Sequence, residues 1–224
     1  TVNDIPVRMR QTRMPTQQME SHTGLLCQAV TTSADVGDPQ QVGLAVDRSI
    51  PEGIRLAGLV LNAGHGRWQS LSQLGHEEWV NTLEGNLTGA FVTIKALLPL
   101  FDFPRFPIVM GILSDSVLSA FPDRAAYASA KSGLEMLLST FRREYRTRGA
   151  RVCQVYPSRV DTYFSGGHQA ARPGTRPNGL SATQIAEAAK WVFEAPDMVE
   201  IRALYLSSIK ATFGLDEECF TDGH

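Results

Sequence analysis

The chain alternates short apolar runs with longer segments of helical periodicity, and this alternation constrains its fold more than any other feature. Strands that are almost continuously apolar are typical of a sheet with helices on both faces. Their alternation with helices indicates βαβ units and a parallel sheet, so we predict a doubly wound α/β fold. The predicted strands are residues 1–5, 26–31, 56–61, 106–113, 151–156 and 201–206; the predicted helices are Pro39–Ser49, 77–98, 124–146 and 181–193.

Length and composition fit one globular domain. The chain has 224 residues, 43% hydrophobic and 20% charged, without an internal repeat, and two segments, 6–24 and 164–179, read as irregular. A net charge of −2 gives no reason to expect nucleic acid or an anionic membrane as a partner. No apolar run is long enough to span a bilayer. Three widely spaced cysteines, Cys27, Cys153 and Cys219, suit a reducing compartment, and we expect a cytoplasmic protein without a metal site.

The predicted helix 124–146 carries a pair of side chains that could take part in acid–base chemistry. Tyr127 and Lys131 are four residues apart and share one face, with Leu134, Leu138 and Phe141 on the same stripe. A nearby ammonium favours the phenolate and is expected to lower the pKa of Tyr127, which would let it exchange a proton with an alcohol or carbonyl. Ser114 lies thirteen residues before the tyrosine. The alternative is an aromatic and a charge on a half-exposed helix.

Several motifs in order resemble the short-chain dehydrogenase/reductase family. Asn62-Ala63-Gly64 is similar to the family's Asn-Asn-Ala-Gly, with Leu61 replacing the first Asn. The segments 78–91 and 157–162 resemble its central helix and its Pro-Gly-x-Val-x-Thr motif, with Ser158 in place of Gly. The resemblance extends over nearly the whole chain. It implies a Rossmann-like sheet and hydride transfer between a nicotinamide cofactor and a carbonyl or secondary alcohol.

The resemblance also implies roles for individual residues. Tyr127 would be the general acid/base, Lys131 would lower its pKa and hold the nicotinamide ribose, and Ser114 would orient the substrate oxygen. Asn86 would complete a proton relay. The expected catalytic residues are Asn86, Ser114, Tyr127 and Lys131; the expected cofactor contacts are Asp4, Asp35, Val36, Asn62, Ala63, Gly64, Tyr127, Lys131, Pro157, Ser158, Val160 and Thr162. The family further implies a substrate lid at 164–179 and a homodimer or homotetramer.

Some positions keep two interpretations. Asp4 favours NAD(H), because a carboxylate accepts ribose hydroxyls and repels a 2′-phosphate, but Arg8 and Arg10 leave NADP(H) as the alternative. Asp35 either contacts the adenine or caps the helix that begins at Pro39. Gly64 either ends a cofactor-binding strand or takes a positive φ in an ordinary turn.

One part of the family pattern is missing. Members begin with a strand, a Thr-Gly-x-x-x-Gly-x-Gly turn and a helix, and no such turn occurs in this sequence. We therefore expect that the first β-α unit is absent from the 224 residues. The rival to the enzyme hypothesis is a non-catalytic protein of this fold that acts as a binding or assembly subunit. His65, Trp68 and Trp79 are interpreted as surface and packing residues.

Overall fold

A computed structural model describes residues 18–20, 26–28, 30–164 and 172–210, the first two segments by their backbone alone. Its centre is a four-stranded parallel sheet in the order β3-β4-β5-β8. These strands are Gly58–Leu61 (β3), Ile108–Ile112 (β4), Arg151–Pro157 (β5) and Ala203–Leu206 (β8). Four of the six predicted strands are thus confirmed to within a few residues, and the α/β class with them.

All four predicted helices are present. They are Pro39–Ser49 (α1), His76–Leu83 (α2) continuing into Gly89–Leu97 (α3), Ala125–Tyr145 (α4) and Ala182–Phe193 (α5). The helix predicted at 77–98 is divided by one π-helical turn, Glu84–Thr88. Such insertions are rare and frequently lie at functional sites. At the start of α5, Ser181 and Gln184 form a reciprocal capping box.

The core lies on both faces of the sheet, as the apolar strands require. On one face the α4 stripe packs over β4 and β5, with Leu134 and Leu138 buried. A side chain at Gly111 would lie 2.3 Å from Leu138 Cδ1, so glycine in β4 allows α4 to approach the sheet closely. On the other face Val192 of α5 covers Met110 and Val155. Burial of these side chains at roughly 25 cal/mol per Å² is the main force holding the layers together.

Two N-terminal predictions need correction. The strand predicted at 26–31 is shorter, Leu26–Gln28 (β2), and pairs antiparallel with Gln18–Glu20 (β1) rather than joining the parallel sheet. β1 also lies inside the segment 6–24, where a poorly ordered stretch or short helix was expected. The strand predicted at 1–5 lies outside the described residues.

The sheet ends at β3 within the described part of the chain. β3 pairs only with β4 there, and Val60 on this edge is 44% exposed. β3 is therefore one edge strand of the described sheet, and β8 is the other. A separate short pair, Val160–Asp161 (β6) with Leu180–Ser181 (β7), holds the loop that follows β5. No helix of the described ranges is long and apolar enough to cross a membrane.

Candidate active site

A cavity of about 900 Å³ opens at the carboxyl ends of β3, β4 and β5, where open α/β sheets bind their ligands. It brings together residues that are far apart in the sequence. Ten of the predicted site residues line it: Asn62, Gly64, Asn86, Ser114, Tyr127, Lys131, Pro157, Ser158, Val160 and Thr162. Asp35, Val36 and Ala63 are not among its lining residues, and Asp4 lies outside the described residues.

Ser114 and Tyr127 face each other in this cavity. Ser114 follows β4 and begins a short 3-10 turn, whose Ser116 N–H donates to Ser114 Oγ. The Ser114 hydroxyl lies 3.0 Å from Asp115 Oδ1, to which it donates, and it also hydrogen-bonds Tyr127. Both side chains are buried. The two hydroxyls expected to hold a substrate oxygen are therefore adjacent.

The expected lowering of the Tyr127 pKa is wrong for the protein alone. Burial raises the pKa of Tyr127 to about 12, and the hydrogen bond with Ser114 and the charge of Arg124 only partly oppose this. Ionisation would place the phenolate away from water. The free energy of this desolvation exceeds the stabilisation that nearby positive charge provides. Tyr127 is therefore a neutral proton donor at physiological pH.

Lys131 lies on the same buried face of α4, one turn after Tyr127. Its Nζ donates to Ile112 O at 2.9 Å and lies 5.7 Å from the centre of the Tyr127 ring. Burial lowers the pKa of Lys131 to about 8, so that most of it is still charged at pH 7. The ammonium is thus held in the cavity by a backbone carbonyl.

Asn86 occupies the π-helical turn between α2 and α3. Its Nδ2 donates to His65 O at 2.6 Å and to Thr82 O at 2.9 Å, which fixes the amide. Its Oδ1 is buried and has no hydrogen-bond partner among the described residues. A buried acceptor without a partner is costly, so this oxygen is available to a further hydrogen-bond donor.

Gly64 is needed for close packing, not for an unusual backbone. Its φ is not among the positive glycine values of the described chain, so the ordinary-turn hypothesis with positive φ is wrong. A Cβ at this position would lie 2.3 Å from Asn86 Oδ1 and 3.6 Å from Lys131 Nζ. Gly64 therefore leaves the space into which both polar atoms point.

The far wall of the cavity is formed by the end of β5 and the segment after it. Ser158 N donates to Leu206 O, while the buried Ser158 Oγ has no partner among the described residues. Thr162 Oγ1 accepts from Phe164 N at 3.2 Å. The serine that replaces the family glycine is accommodated without disturbing the pairing of β5 with β8.

Asp35 does not cap α1. That role belongs to Asp38, whose carboxylate accepts the N–H groups of Gln40 and Gln41. Asp35 instead accepts the N–H of Gly37 and remains exposed. Its side chain is therefore free of the capping role, and the expected adenine contact stays a prediction.

The ends of the predicted lid are tied down. Arg176 donates to Val160 O and Phe164 O, and the Asp161 carboxylate accepts the N–H groups of Gly174 and Arg176. The ring of Phe164 lies 5.6 Å from that of Tyr127. Part of the segment 164–179 therefore closes one side of the cavity; residues 165–171 lie outside the described ranges.

Several cavity residues were not predicted from the sequence. Trp68, interpreted there as packing, lies edge-on to Tyr127 at 5.2 Å. Arg124 lies between the Trp68 and Phe121 rings, and Asp115 neighbours Ser114. Arg124 and Asp115 could have been predicted, because they lie close in sequence to Tyr127 and Ser114. Nothing in the sequence indicated Trp68, because the loop that carries it reaches the site only through tertiary folding.

Comparison with known proteins agrees with this geometry. The "3beta-hydroxysteroid dehydrogenase 1" of Eggerthella lenta is 29% identical over 148 residues, 66% of this chain and 54% of the relative. The "inactive 2-(S)-hydroxypropyl-CoM dehydrogenase 2" of Xanthobacter autotrophicus is 30% identical over 180 residues, 80% of this chain and 77% of the relative. The chain spans about half the length of the first curated relatives it matches.

A solved structure shows the same architecture. The alcohol dehydrogenase of the archaeon Thermococcus sibiricus, complexed with 5-hydroxy-NADP, superposes with a TM-score of 0.70 at 28% identity, covering 80% of this chain and 74% of the other. The family model described as short chain dehydrogenase matches residues 6–172. With this match over most of its length, the chain belongs to the short-chain dehydrogenase/reductase family.

Proposed function

We propose that the protein is an NAD(P)-dependent oxidoreductase that transfers hydride between a nicotinamide cofactor and a carbonyl or secondary alcohol. The observation that carries this proposal is the meeting of Ser114, Tyr127 and Lys131 in one cavity, with Asn86 behind them. A purely structural role does not require a buried lysine and a buried, unpartnered amide oxygen beside a buried tyrosine.

In the reducing direction Tyr127 donates the proton to the substrate oxygen. Its raised pKa keeps it protonated until that transfer. Ser114 holds the same oxygen by a hydrogen bond. Lys131 supplies positive charge that stabilises the phenolate as it forms, and its pKa near 8 keeps that charge at neutral pH.

The residues present fit a nicotinamide cofactor. The unpartnered Asn86 Oδ1 and Ser158 Oγ belong to residues that line the cavity, which accepts a polar group. Asn62, Gly64 and Lys131 would hold a ribose, and Pro157, Ser158, Val160 and Thr162 would face the nicotinamide. The cofactor, when bound, supplies the hydride, and the protein supplies orientation and the proton.

We infer NAD(H) as the preferred cofactor, with NADP(H) as the alternative. The support is the carboxylate of Asp4 at the end of a predicted strand. The similar archaeal enzyme was solved with an NADP derivative. The activities with NADH and NADPH therefore have to be compared directly. For location and assembly we propose a cytoplasmic homodimer or homotetramer that binds a small substrate and no nucleic acid or membrane.

The rival hypothesis, a non-catalytic subunit of this fold, has one specific support. A relative of comparable length carries the word inactive in its name. The four converging residues favour the enzyme, because a binding subunit does not require their combination.

The test is an assay of the full-length gene product for oxidation of NADH and NADPH with a panel of ketones, beside Tyr127→Phe. The variant loses only a hydroxyl while its ring still packs against Trp68 and Phe164. We expect turnover to fall by roughly 100-fold or more, as for loss of a general acid, with cofactor affinity and melting temperature nearly unchanged. A variant that retains more than about a tenth of the wild-type kcat, against that expected loss, would remove Tyr127 from the mechanism. Higher kcat/KM with NADPH would reverse the cofactor inference.

A further inference from the structure

Arg124 is an arginine of the cavity whose position is fixed beside the reacting groups. It is the residue before α4 and lies three positions before Tyr127. Its guanidinium is 4.8 Å from the centre of the Trp68 ring and 4.4 Å from that of Phe121. Nη1 donates to Ser116 Oγ at 3.0 Å. The side chain is only 24% exposed, so the charged head is held in the cavity wall rather than in solvent.

The guanidinium has donors to spare. Among the described residues, its one hydrogen bond is that from Nη1 to Ser116, although a guanidinium carries several N–H donors in a planar fork. The neighbouring carboxylate, Asp115, has Oδ1 at 4.0 Å from Nη1, which is beyond hydrogen-bond distance. A partly buried charge is expected to have a hydrogen-bonded counter-ion. Within the described ranges Arg124 has the Asp115 carboxylate at 4.0 Å, but no hydrogen bond joins the two groups.

Asp115 pairs with Arg124 by charge but forms no hydrogen bond to it. Its carboxylate accepts from the Ser114 hydroxyl and the Ser116 N–H, which hold it on the β4 side of the cavity. Donors of the Arg124 guanidinium therefore remain open to a further acceptor.

The wider cavity carries an excess of positive charge. Three arginines, Arg124, Arg159 and Arg176, line it together with Lys131, against the single carboxylate of Asp115 among the described lining residues. Arg176 is engaged with the carbonyls of Val160 and Phe164, and Arg159 has its own interaction. A cleft of one sign raises the local concentration of ligands of the opposite sign.

We propose that the substrate is a carboxylic acid that also bears the reacting carbonyl or alcohol, an oxo or hydroxy acid, and that Arg124 binds its carboxylate. This proposal rests on the proposed oxidoreductase function. The planar fork of Arg124 matches a carboxylate in bidentate fashion. A monoanion fits better than a phosphate dianion, because Asp115 lies close by. Tyr127 and Ser114 then receive the reacting oxygen at the other end of the substrate.

The test uses the full-length gene product with NADH and NADPH and two matched pairs of probes. These are 3-oxobutanoate with its methyl ester and 4-oxopentanoate with its methyl ester, so that charge is the main difference within a pair. The variants are Arg124→Gln and Arg124→Lys, with Arg48→Gln as control, since Arg48 is an exposed residue at the end of α1.

Wild type is expected to reduce at least one acid with a kcat/KM about tenfold or more above that of its ester, the size of one or two charge-assisted hydrogen bonds. Arg124→Gln should remove this preference, raising KM for the acid about tenfold more than KM for its ester, the size of the lost charge-assisted bond. Arg124→Lys should retain part of it, and Arg48→Gln all of it. Fluorescence of Trp68 gives a second readout: 4-oxopentanoate should change it in wild type and not in Arg124→Gln.

The outcomes distinguish the carboxylate-binding role of Arg124 from the oxidoreductase function on which it rests. Reduction of esters equal to or better than that of acids by wild type, lost in Tyr127→Phe, would overturn the carboxylate site and leave the oxidoreductase function standing. An acid preference that survives in a folded Arg124→Gln would place the site elsewhere and overturn the role of Arg124. Absence of turnover with both members of both pairs, and with the neutral ketone panel, counts against the oxidoreductase function itself.

Discussion

At the scale of single residues, burial acts in opposite senses on the two titrating side chains of α4. It raises the pKa of Tyr127 to about 12 and lowers that of Lys131 to about 8. Both shifts favour the neutral form, because each group lies where water does not reach it. For Tyr127 the result is a protonated acid, and for Lys131 it is a cation maintained at a cost in stability.

We predict that Lys131→Met lowers activity but stabilises the fold at neutral pH. The folded pKa of Lys131 lies below its ordinary value of 10.5. Its cost to stability is therefore complete below about pH 8 and disappears as pH rises toward 10.5. After allowing for the lost hydrogen bond to Ile112, the gain is about 2 kcal/mol.

Urea unfolding at pH 6.5 and at pH 9.5 measures this effect, and the gain should be smaller at the higher pH. Lys95→Met, at an exposed position of α3, is the control and should show no such trend. Catalysis by Lys131→Met should fall roughly 100-fold and cofactor affinity should weaken as well. Equal stability of wild type and variant at pH 6.5 would mean that Lys131 is not desolvated.

At the scale of elements, the site depends on close contact between the turn after β3 and the π-helical turn. Gly64 and Asn86 meet there, and the missing Cβ of Gly64 is the condition for that contact. The π-helical insertion that interrupts the helix 76–97 carries Asn86, whose amide donates to His65 O in the turn after β3 and to Thr82 O in its own helix. The turn at Gly64 and the π-helical turn at Asn86 thus form one polar wall of the cavity together.

We predict that Gly64→Ala lowers kcat/KM by roughly tenfold or more, a loss of at least one good polar contact. The added Cβ would be 2.3 Å from Asn86 Oδ1, so the amide has to move. Gly43→Ala is the matched control, because a Cβ there meets nothing within 4 Å in the middle of α1. That control should retain activity and gain about 0.5–1 kcal/mol of stability. Full activity of Gly64→Ala would show that the contact is dispensable.

The outer surfaces of α3 and α4 carry exposed apolar side chains. Phe91 on α3 is 48% exposed and Met136 on α4 is 66% exposed. We predict a homodimer or homotetramer that buries these helices, as sequence resemblance implied. Light scattering should show it at micromolar concentration, and Phe91→Glu with Met136→Glu should shift it toward monomer, whereas Leu44→Glu on α1 should not. A monomeric wild type would contradict this prediction.

At the scale of the whole molecule, the described sheet ends at β3 on one side and at β8 on the other, and none of its described strands is followed by the family's glycine-rich turn. β3 pairs on one side only within the described residues. The sequence contains no Gly-x-x-x-Gly-x-Gly turn, and a pyrophosphate needs such backbone N–H groups at a helix N-terminus. We therefore expect the nicotinamide half of a cofactor to meet the lining residues of the cavity. The pyrophosphate would find no such glycine-rich turn in this sequence.

We predict that the 224-residue chain alone binds NAD(H) and NADP(H) poorly and unfolds easily, because an open apolar sheet edge is a liability. Isothermal titration of the chain with NADH and NADPH measures the affinity, and urea unfolding measures the stability. Micromolar affinity of the 224 residues by themselves would overturn the prediction and would mean that another loop holds the phosphates.

The sequence by itself determined the α/β class, the four helices, the central strands and the Ser114, Tyr127 and Lys131 set. The elements follow from hydrophobic periodicity and the Tyr127–Lys131 pair from spacing along one helix, which are local properties of the chain, whereas Ser114 follows from the family resemblance. Only the tertiary structure decided the sign of the Tyr127 pKa shift, the antiparallel pairing of 26–28, and the presence of Trp68 and Arg124 in the cavity. A pKa depends on how far water is excluded, and a cavity wall depends on which loops meet. Both arise from contacts between segments that are distant in sequence, so spacing alone does not encode them.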